Sequence, residues 1–133
     1  MILQSRPGEK RRILVIDNDS DICTVFQMVL QDEGYDCNSY TDSVKALQEF
    51  KAGYYDLILL DLKMPGLSGF DLCKKIRDFD KIVKIFFVTG SSSQAFFEKI
   101  TQDRDPLLKD IDYIQKPIAN HELVSVIRNA FSK

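Results

Sequence analysis

Four apolar runs in this sequence end on residues that could do chemistry. Ile13-Leu14-Val15-Ile16 leads into Asp17-Asn18-Asp19, and Leu57-Ile58-Leu59-Leu60 leads into Asp61, with Lys63-Met64-Pro65-Gly66 just beyond. Two more runs end at Thr89-Gly90 and Lys116-Pro117. A buried strand that delivers an ionised carboxylate into a Pro-Gly loop places charge at the carboxyl edge of a sheet, where open α/β sheets keep their chemistry. Carboxylates gathered there repel one another and raise one another's pKa unless a cation neutralises them. Oxygen donors with no histidine or cysteine among them suit a hard ion, so the cluster implies Mg2+ rather than Zn2+. The lysine and the threonine add a positive charge and a hydrogen-bond donor, which the non-bridging oxygens of a phosphoryl group require. The chemistry suggested is phosphoryl transfer to a carboxylate. An aspartate is then the nucleophile, and an acyl phosphate forms beside a charge-shielding metal.

The elements that must position these residues follow from periodicity. Short β-branched or aromatic runs alternate with longer segments of helical period, the pattern of βαβ units and a parallel sheet. The predicted strands are Ile13–Asp17, Tyr35–Tyr40, Leu57–Asp61, Lys84–Thr89 and Ile111–Gln115. Ile22, Phe26, Val29 and Leu30 recur at helical spacing after the candidate caps Asp19 and Ser20, and Gly34 supplies a stop. Thr41 or Asp42 can cap a second helix through Val44, Leu47 and Phe50 to Gly53, and Ser68 opens a third carrying Leu72, Cys73, Ile76 and Phe79. A fourth follows Ser91-Ser92-Ser93 through Phe96, Phe97 and Ile100, and Asp103-Arg104-Asp105-Pro106 interrupts it before Leu107-Leu108. In the last helix Leu123, Val126, Ile127 and Ala130 share a face. Ala119 is a poor cap for it, and Asn120 is the alternative. Right-handed crossovers then give a doubly wound five-stranded parallel sheet with helices on both faces, in which the first, third, fourth and fifth strand ends can share one crevice.

Composition bounds the function. A chain of 133 residues, 44% hydrophobic, fits one domain with a core of its own, preceded by a flexible tail over residues 1–10. Lys and Arg number 18 against 20 Asp and Glu, a net charge of -2, so there is no electrostatic footprint for nucleic acid. The apolar stretches are strand-sized and residues 1–12 lack an apolar signal-peptide core, which argues against membrane insertion and for a cytoplasmic protein. Cys23, Cys37 and Cys73 have no metal-ligand spacing and read as free thiols.

Taken in order, four segments resemble the receiver domain of two-component response regulators, the CheY-like family. They are Ile13-Leu14-Val15-Ile16-Asp17-Asn18-Asp19, the run from Asp56 to Gly69, Val88-Thr89-Gly90, and Asp112-Tyr113-Ile114-Gln115-Lys116-Pro117. The likeness covers nearly everything from about Lys10 onward, and implies a receiver domain over residues 11–133 with five helices around the five-stranded sheet and strand order 2-1-3-4-5. It further implies that Asp61 accepts phosphate from a sensor histidine kinase or a histidine phosphotransfer protein. Asp17, Asn18, Asp61 and the backbone carbonyl of Lys63 would surround Mg2+, and Lys116 would pair with the phosphoryl oxygens. Thr89 and Tyr113 would act as switch residues, the threonine hydroxyl moving toward the phosphate and the tyrosine turning inward behind it. The activated surface would be the face of the fourth helix, fifth strand and fifth helix, a two-state element biased by new charge. Such a protein is not an enzyme beyond catalysing its own phosphorylation and slow hydrolysis. Its output is a contact with a downstream protein or with an output domain absent from this chain, and a phosphorylation-dependent dimer stays open.

Two places depart from the family pattern. The second member of the usual acidic pair is Asn18, whose amide oxygen can still ligate Mg2+ with one negative charge fewer, and Asp19 compensates only if its side chain turns inward. The stretch between Thr89 and Tyr113 is longer than usual and lacks the common Ala-Gly-Ala approach to the fifth strand. Asn18 motivates a second expectation, a pseudo-receiver that binds proteins independently of phosphorylation. A flavodoxin-like cofactor binder is disfavoured, because Asp17-Asn18-Asp19 stands where a Gly-rich phosphate loop would be needed. Lys63 and Ser91 flank the expected phosphoryl position and are expected to tune the lifetime of the phosphorylated state. Plain structural roles compete at several positions: Asp17 and Asn18 could cap a helix, and Tyr113 could simply pack a half-buried edge strand. Met64 and Phe70 read as packing residues and His121 as solvated.

Overall fold

In a computed structural model of the chain, residues 10–90, 98 and 112–132 are described. Five parallel strands form one sheet: β1 (Arg12–Ile16), β2 (Asp36–Tyr40), β3 (Leu57–Asp61), β4 (Lys84–Thr89) and β5 (Asp112–Gln115), in the order β2-β1-β3-β4-β5. Among the described residues four helices complete the fold: α1 (Ser20–Asp32), α2 (Ser43–Glu49), α3 (Gly69–Phe79) and α4 (Asn120–Phe131). The helix expected after Ser91-Ser92-Ser93, the amino-terminal tail and Ile111 lie outside the described residues.

Alternation along the strands builds two cores, one on each face of the sheet. Leu14, Ile16, Ile58, Leu60, Ile85 and Phe87 face the side covered by Ala46 of α2 and Phe70, Leu72, Cys73 and Ile76 of α3. Ile13, Val15, Leu57, Leu59, Phe86, Val88 and Ile114 face Cys23, Phe26 and Leu30 of α1 and Leu123, Ile127 and Ala130 of α4. Every residue of β3 is buried, so Asp61 ends a strand covered on both faces.

Local chemistry sets the helix starts. Asp19 is the cap of α1, its carboxylate accepting from the Asp21 and Ile22 amides at 2.9 and 3.4 Å. Asp42, rather than Thr41, caps α2 through the Val44 and Lys45 amides, and Ser68 caps α3. Ala119 precedes α4 without a side-chain cap; Glu122 accepts the Ala119 amide at 3.3 Å, and Asn120 is the first helical residue rather than the cap.

Several boundaries differ from expectation. β1 runs one residue earlier, so Asp17 stands outside the strand, and β2 starts at Asp36 rather than Tyr35. α2 ends at Glu49, because Phe50 turns to extended backbone and stacks 6.1 Å from Tyr55 instead of continuing to Gly53. Its inward residues are Ser43 and Ala46, while Val44 is 46% exposed. Phe79, at the last residue of α3, is 64% exposed and does not join the Leu72, Cys73 and Ile76 face.

The amino edge of the sheet is held by hydrogen-bonded carboxylates. Asp80 is buried and accepts from the Ile82 and Val83 amides at 3.0 Å each and from Gly53 at 2.9 Å, stapling the α3–β4 turn to the α2–β3 turn. Arg77 adds a bond to the Val83 carbonyl at 2.6 Å. Asp56, buried at the start of β3, accepts the Arg12 amide at 2.8 Å. Cys23, Cys37 and Cys73 are all free and buried. No described helix is long and apolar enough to cross a membrane.

Candidate functional site

The carboxyl edge brings Asp17, Asp61, Thr89 and Lys116 together. Asp17 follows β1, and its amide continues the ladder by donating to the Tyr40 carbonyl at 3.1 Å. Its Oδ1 accepts the Asp19 amide at 2.9 Å, a local turn that leaves Oδ2 for the Lys116 ammonium, also at 2.9 Å. Beneath the turn the Cys23 thiol donates to the Asp17 carbonyl at 3.2 Å. On β3, Asp61 Oδ1 accepts the Lys63 amide at 3.3 Å and faces Lys116 Nζ at 3.7 Å. The Lys116 backbone is placed by its own amide, which donates to the Thr89 carbonyl at 2.8 Å. One ammonium thus stands between two carboxylates that are only 2% and 5% exposed.

The electrostatics follow from that burial. Asp61 is pushed up from its ordinary 3.8, first by desolvation and then by repulsion from Asp17; Lys116 and the Lys63 amide pull the other way without cancelling the rise. Burial alone would depress Lys116, but its hydrogen bond to Asp17 and its attraction to Asp17, Asp61 and Asp19 outweigh that and hold it above the usual lysine value. The ammonium is therefore charged, and with both carboxylates ionised the centre carries an excess negative charge. Such a centre has room, in charge, for a hard cation.

The remaining expected residues are placed as follows. Asn18 is exposed at the rim. Asp19 engages its Oδ1 on the first turn of α1 as the helix cap, and its charge still reaches the Lys116 ammonium. The Lys63 side chain is exposed and its backbone belongs to the loop against Asp61. Thr89 is buried at the end of β4, and a Cβ added at Gly90 would meet nothing within 4 Å. Tyr113, half-buried on β5, packs against the core that contains Phe87. Met64 is buried, Phe70 lies 5.0 Å from Phe87 centroid to centroid, and His121 is exposed, as their sequence roles require. Ser91 lies outside the described residues.

The donors available to a metal are two carboxylates, an amide and backbone carbonyls. Among the described residues no three His, Cys, Asp or Glu side chains gather into a metal-holding group. An all-oxygen, partly side-chain set suits Mg2+, which keeps several of its waters and takes one or two carboxylates.

Two supports of the site were not legible as such in the sequence. Gly69 opens α3, its amide donating to the Leu62 carbonyl at 3.0 Å. A Cβ there would strike the Asp61 carbonyl oxygen and lie 2.7 Å from Leu62 Cα, so only glycine lets α3 start this close to the strand end. Ser43, 2% exposed, touches the loop after Asp61 from α2. Nothing in the spacing of the sequence marks Ser43 as the partner of that loop.

Comparison with known proteins agrees with this geometry. The family model described as the response regulator receiver domain matches residues 13–128. The Sensory transduction protein RegX3 of Mycobacterium tuberculosis is 32% identical over 116 residues, covering 87% of this chain and 48% of that protein. The DNA-binding response regulator MtrA of Mycobacterium leprae is 30% identical over 119 residues, covering 90% and 50%. The chain therefore spans about half the length of the curated relatives it matches. Among solved structures, the non-phosphorylated HemR receiver domain of Leptospira biflexa superposes with a TM-score of 0.80 at 22% identity, covering 93% of this chain and 96% of that one. A CheY-like receiver domain protein from Methanospirillum hungatei gives 0.75 at 23% identity, covering 93% and 95%. Motif order, strand order and family match converge, and the chain belongs to the response regulator receiver domain family of two-component systems.

Proposed function

We propose that this chain is a phosphorylation-controlled switch in which Asp61 accepts a phosphoryl group from a phosphohistidine of a sensor histidine kinase or phosphotransfer protein. The observation that carries this is the buried pair Asp17 and Asp61 sharing the Lys116 ammonium at 2.9 and 3.7 Å. An Asp61 oxygen attacks phosphorus, the donor's phosphorus–nitrogen bond breaks, and its electron pair returns to the imidazole, leaving an acyl phosphate on Asp61. Lys116, already beside Asp61, pairs with the phosphoryl oxygens. Thr89 and Tyr113 are the switch residues: the threonine hydroxyl follows the new charge and the tyrosine moves on the half-buried edge strand. Asp17, Asp61, Asn18 and the Lys63 carbonyl would hold Mg2+. When bound, it supplies charge shielding for the incoming phosphoryl group.

The protein is not an enzyme acting on a separate substrate; it phosphorylates and slowly dephosphorylates itself. Its partners are the donor protein and a downstream protein or output domain, in the cytoplasm, without a nucleic-acid surface of its own. Intact mass after incubation with Mg2+ and acetyl phosphate tests this: one phosphate is gained, the gain needs Mg2+, and Asp61→Asn abolishes it. A second reading is favoured by one observation. Asn18 is neutral and stands exposed where the usual acidic pair has its second carboxylate, and Asp19 Oδ1 is engaged in capping α1. If no sample gains phosphate, the chain is a phosphorylation-independent binding module instead.

A further inference from the structure

Ser43 is a buried hydroxyl with no part in the chemistry above, yet it faces the loop that follows the acceptor aspartate. Its Oγ donates to the Pro65 carbonyl at 3.4 Å and accepts the Leu67 amide at 3.3 Å, so a single oxygen bridges two backbone groups that flank Gly66. Gly66 has φ 80°, and a Cβ there would lie 3.9 Å from Ser43 Oγ and 4.0 Å from Val44 Cγ2, so the loop turns directly over the start of α2. At 2% exposure the hydroxyl has little water to replace either partner. The same loop begins with Lys63, whose amide donates to Asp61 Oδ1 at 3.3 Å. At its other end Gly69 donates to Leu62.

From this we infer that Ser43 is a positioning residue for Asp61. It latches residues 65–67 to α2, and through them fixes the Lys63 peptide, whose amide orients the Asp61 carboxylate and whose carbonyl would be a ligand for the cation. The inference rests on the proposed phosphoryl-accepting role of Asp61. Its structural half stands apart from that role, because the latch is a contact between α2 and a loop. Without the hydroxyl the loop samples more positions, and the ordered backbone carbonyl is lost as a preformed ligand. The expected signature is weaker cation binding with little change in the rate once the cation saturates.

Three versions of this chain test it: wild type, Ser43→Ala and Asp42→Ala. The last removes the α2 cap, which accepts from the Val44 and Lys45 amides, and leaves the Ser43 hydroxyl in place. Hydrogen exchange at the Leu67 and Lys63 amides should quicken about 3- to 10-fold in Ser43→Ala, the value of one ordinary hydrogen bond, and not in Asp42→Ala. Calorimetric Mg2+ titration should show a similar fold loss of affinity in Ser43→Ala alone. Phosphorylation by acetyl phosphate should need correspondingly more Mg2+, with a saturated rate near that of wild type. Unchanged Leu67 exchange, or equal shifts in Ser43→Ala and Asp42→Ala, overturns the inference. If wild type itself gains no phosphate, the proposed acceptor role fails, while amide exchange and Mg2+ titration still decide the latch.

Discussion

Lys116→Met should destabilise the metal-free protein strongly, because it leaves two buried carboxylates without their shared cation. At an effective dielectric constant of about 20, the 2.9 Å contact with Asp17 is an attraction of about 6 kcal/mol and the 3.7 Å contact with Asp61 about 4.5 kcal/mol. Much of that offsets the desolvation of the ammonium, and breaking a buried pair by removing one partner costs about 3–5 kcal/mol in practice. The lysine side chain is still 22% exposed, so water screens its end of the contact and the net loss should be about 2–3 kcal/mol. For a domain of this size that is a fall in Tm of about 6–12 °C. Urea unfolding at pH 8 in EDTA measures it, with an unchanged m-value showing that the two states compared are the same. Because the ammonium and Mg2+ compete for the same carboxylates, the variant should also bind Mg2+ more tightly, and saturating Mg2+ should narrow the stability gap. A loss below about 0.5 kcal/mol would refute the reasoning, since that is the range of an exposed ion pair.

Asp61 is held above its ordinary pKa by burial and by Asp17, so the folded state binds its proton more tightly than the unfolded chain does. That stabilisation is full below the unfolded value and is lost as pH rises through the folded one; metal-free Asp61→Asn, which cannot ionise, should gain stability relative to wild type as pH rises through the raised folded value, and equal pH profiles in urea would contradict this. Asp80→Ala removes the acceptor of the Gly53, Ile82 and Val83 amides, of which the Val83 contact is buried, and should cost about 1–3 kcal/mol by urea unfolding, with Asp80→Asn recovering part of it. Gly69→Ala should lower both stability and the phosphorylation rate, because its Cβ strikes the Asp61 carbonyl; an unchanged rate would show that α3 can shift without disturbing the acceptor. Cys37 is pushed up to about 12, chiefly by burial, so at pH 8 iodoacetamide should label it only as fast as the protein unfolds, and modification within minutes under native conditions would disprove that.

Most of the fold was legible because period and punctuation agreed. β3 and β4 have the expected limits, and the strand order is the one the family resemblance implies. The misjudged boundaries are those where a side chain's tertiary partner decides. Phe50 leaves α2 to stack on Tyr55, and Val44 sits at helical spacing yet points outward, because Ser43 and Ala46 take the inward positions. At the site, Asp17, Asp61, Thr89 and Lys116 could be found because each closes an apolar run, and strand ends converge in a parallel sheet. What could not be read was which oxygen meets which nitrogen. That Asp19 rather than Ser20 caps α1 rests on its contacts with the Asp21 and Ile22 amides, and the bridge from Ser43 to Pro65 and Leu67 spans more than twenty residues with no periodic signal. Asp80 is similar: its role arises from two turns meeting at the far edge of the sheet.

The place of the acceptor strand in the sheet also sets how the molecule yields mechanically. β3 is hydrogen-bonded on both sides and covered on both faces, so Asp61 is mounted on the stiffest part of the structure. β5 spans four residues and, among the described residues, pairs with β4 alone. Lys116 and Tyr113 are therefore carried on the compliant margin. Of the two sheet edges, the β5 edge is the one tied to Asp61, because Lys116, just after β5, faces its carboxylate at 3.7 Å; a change of charge at Asp61 therefore acts first on that margin.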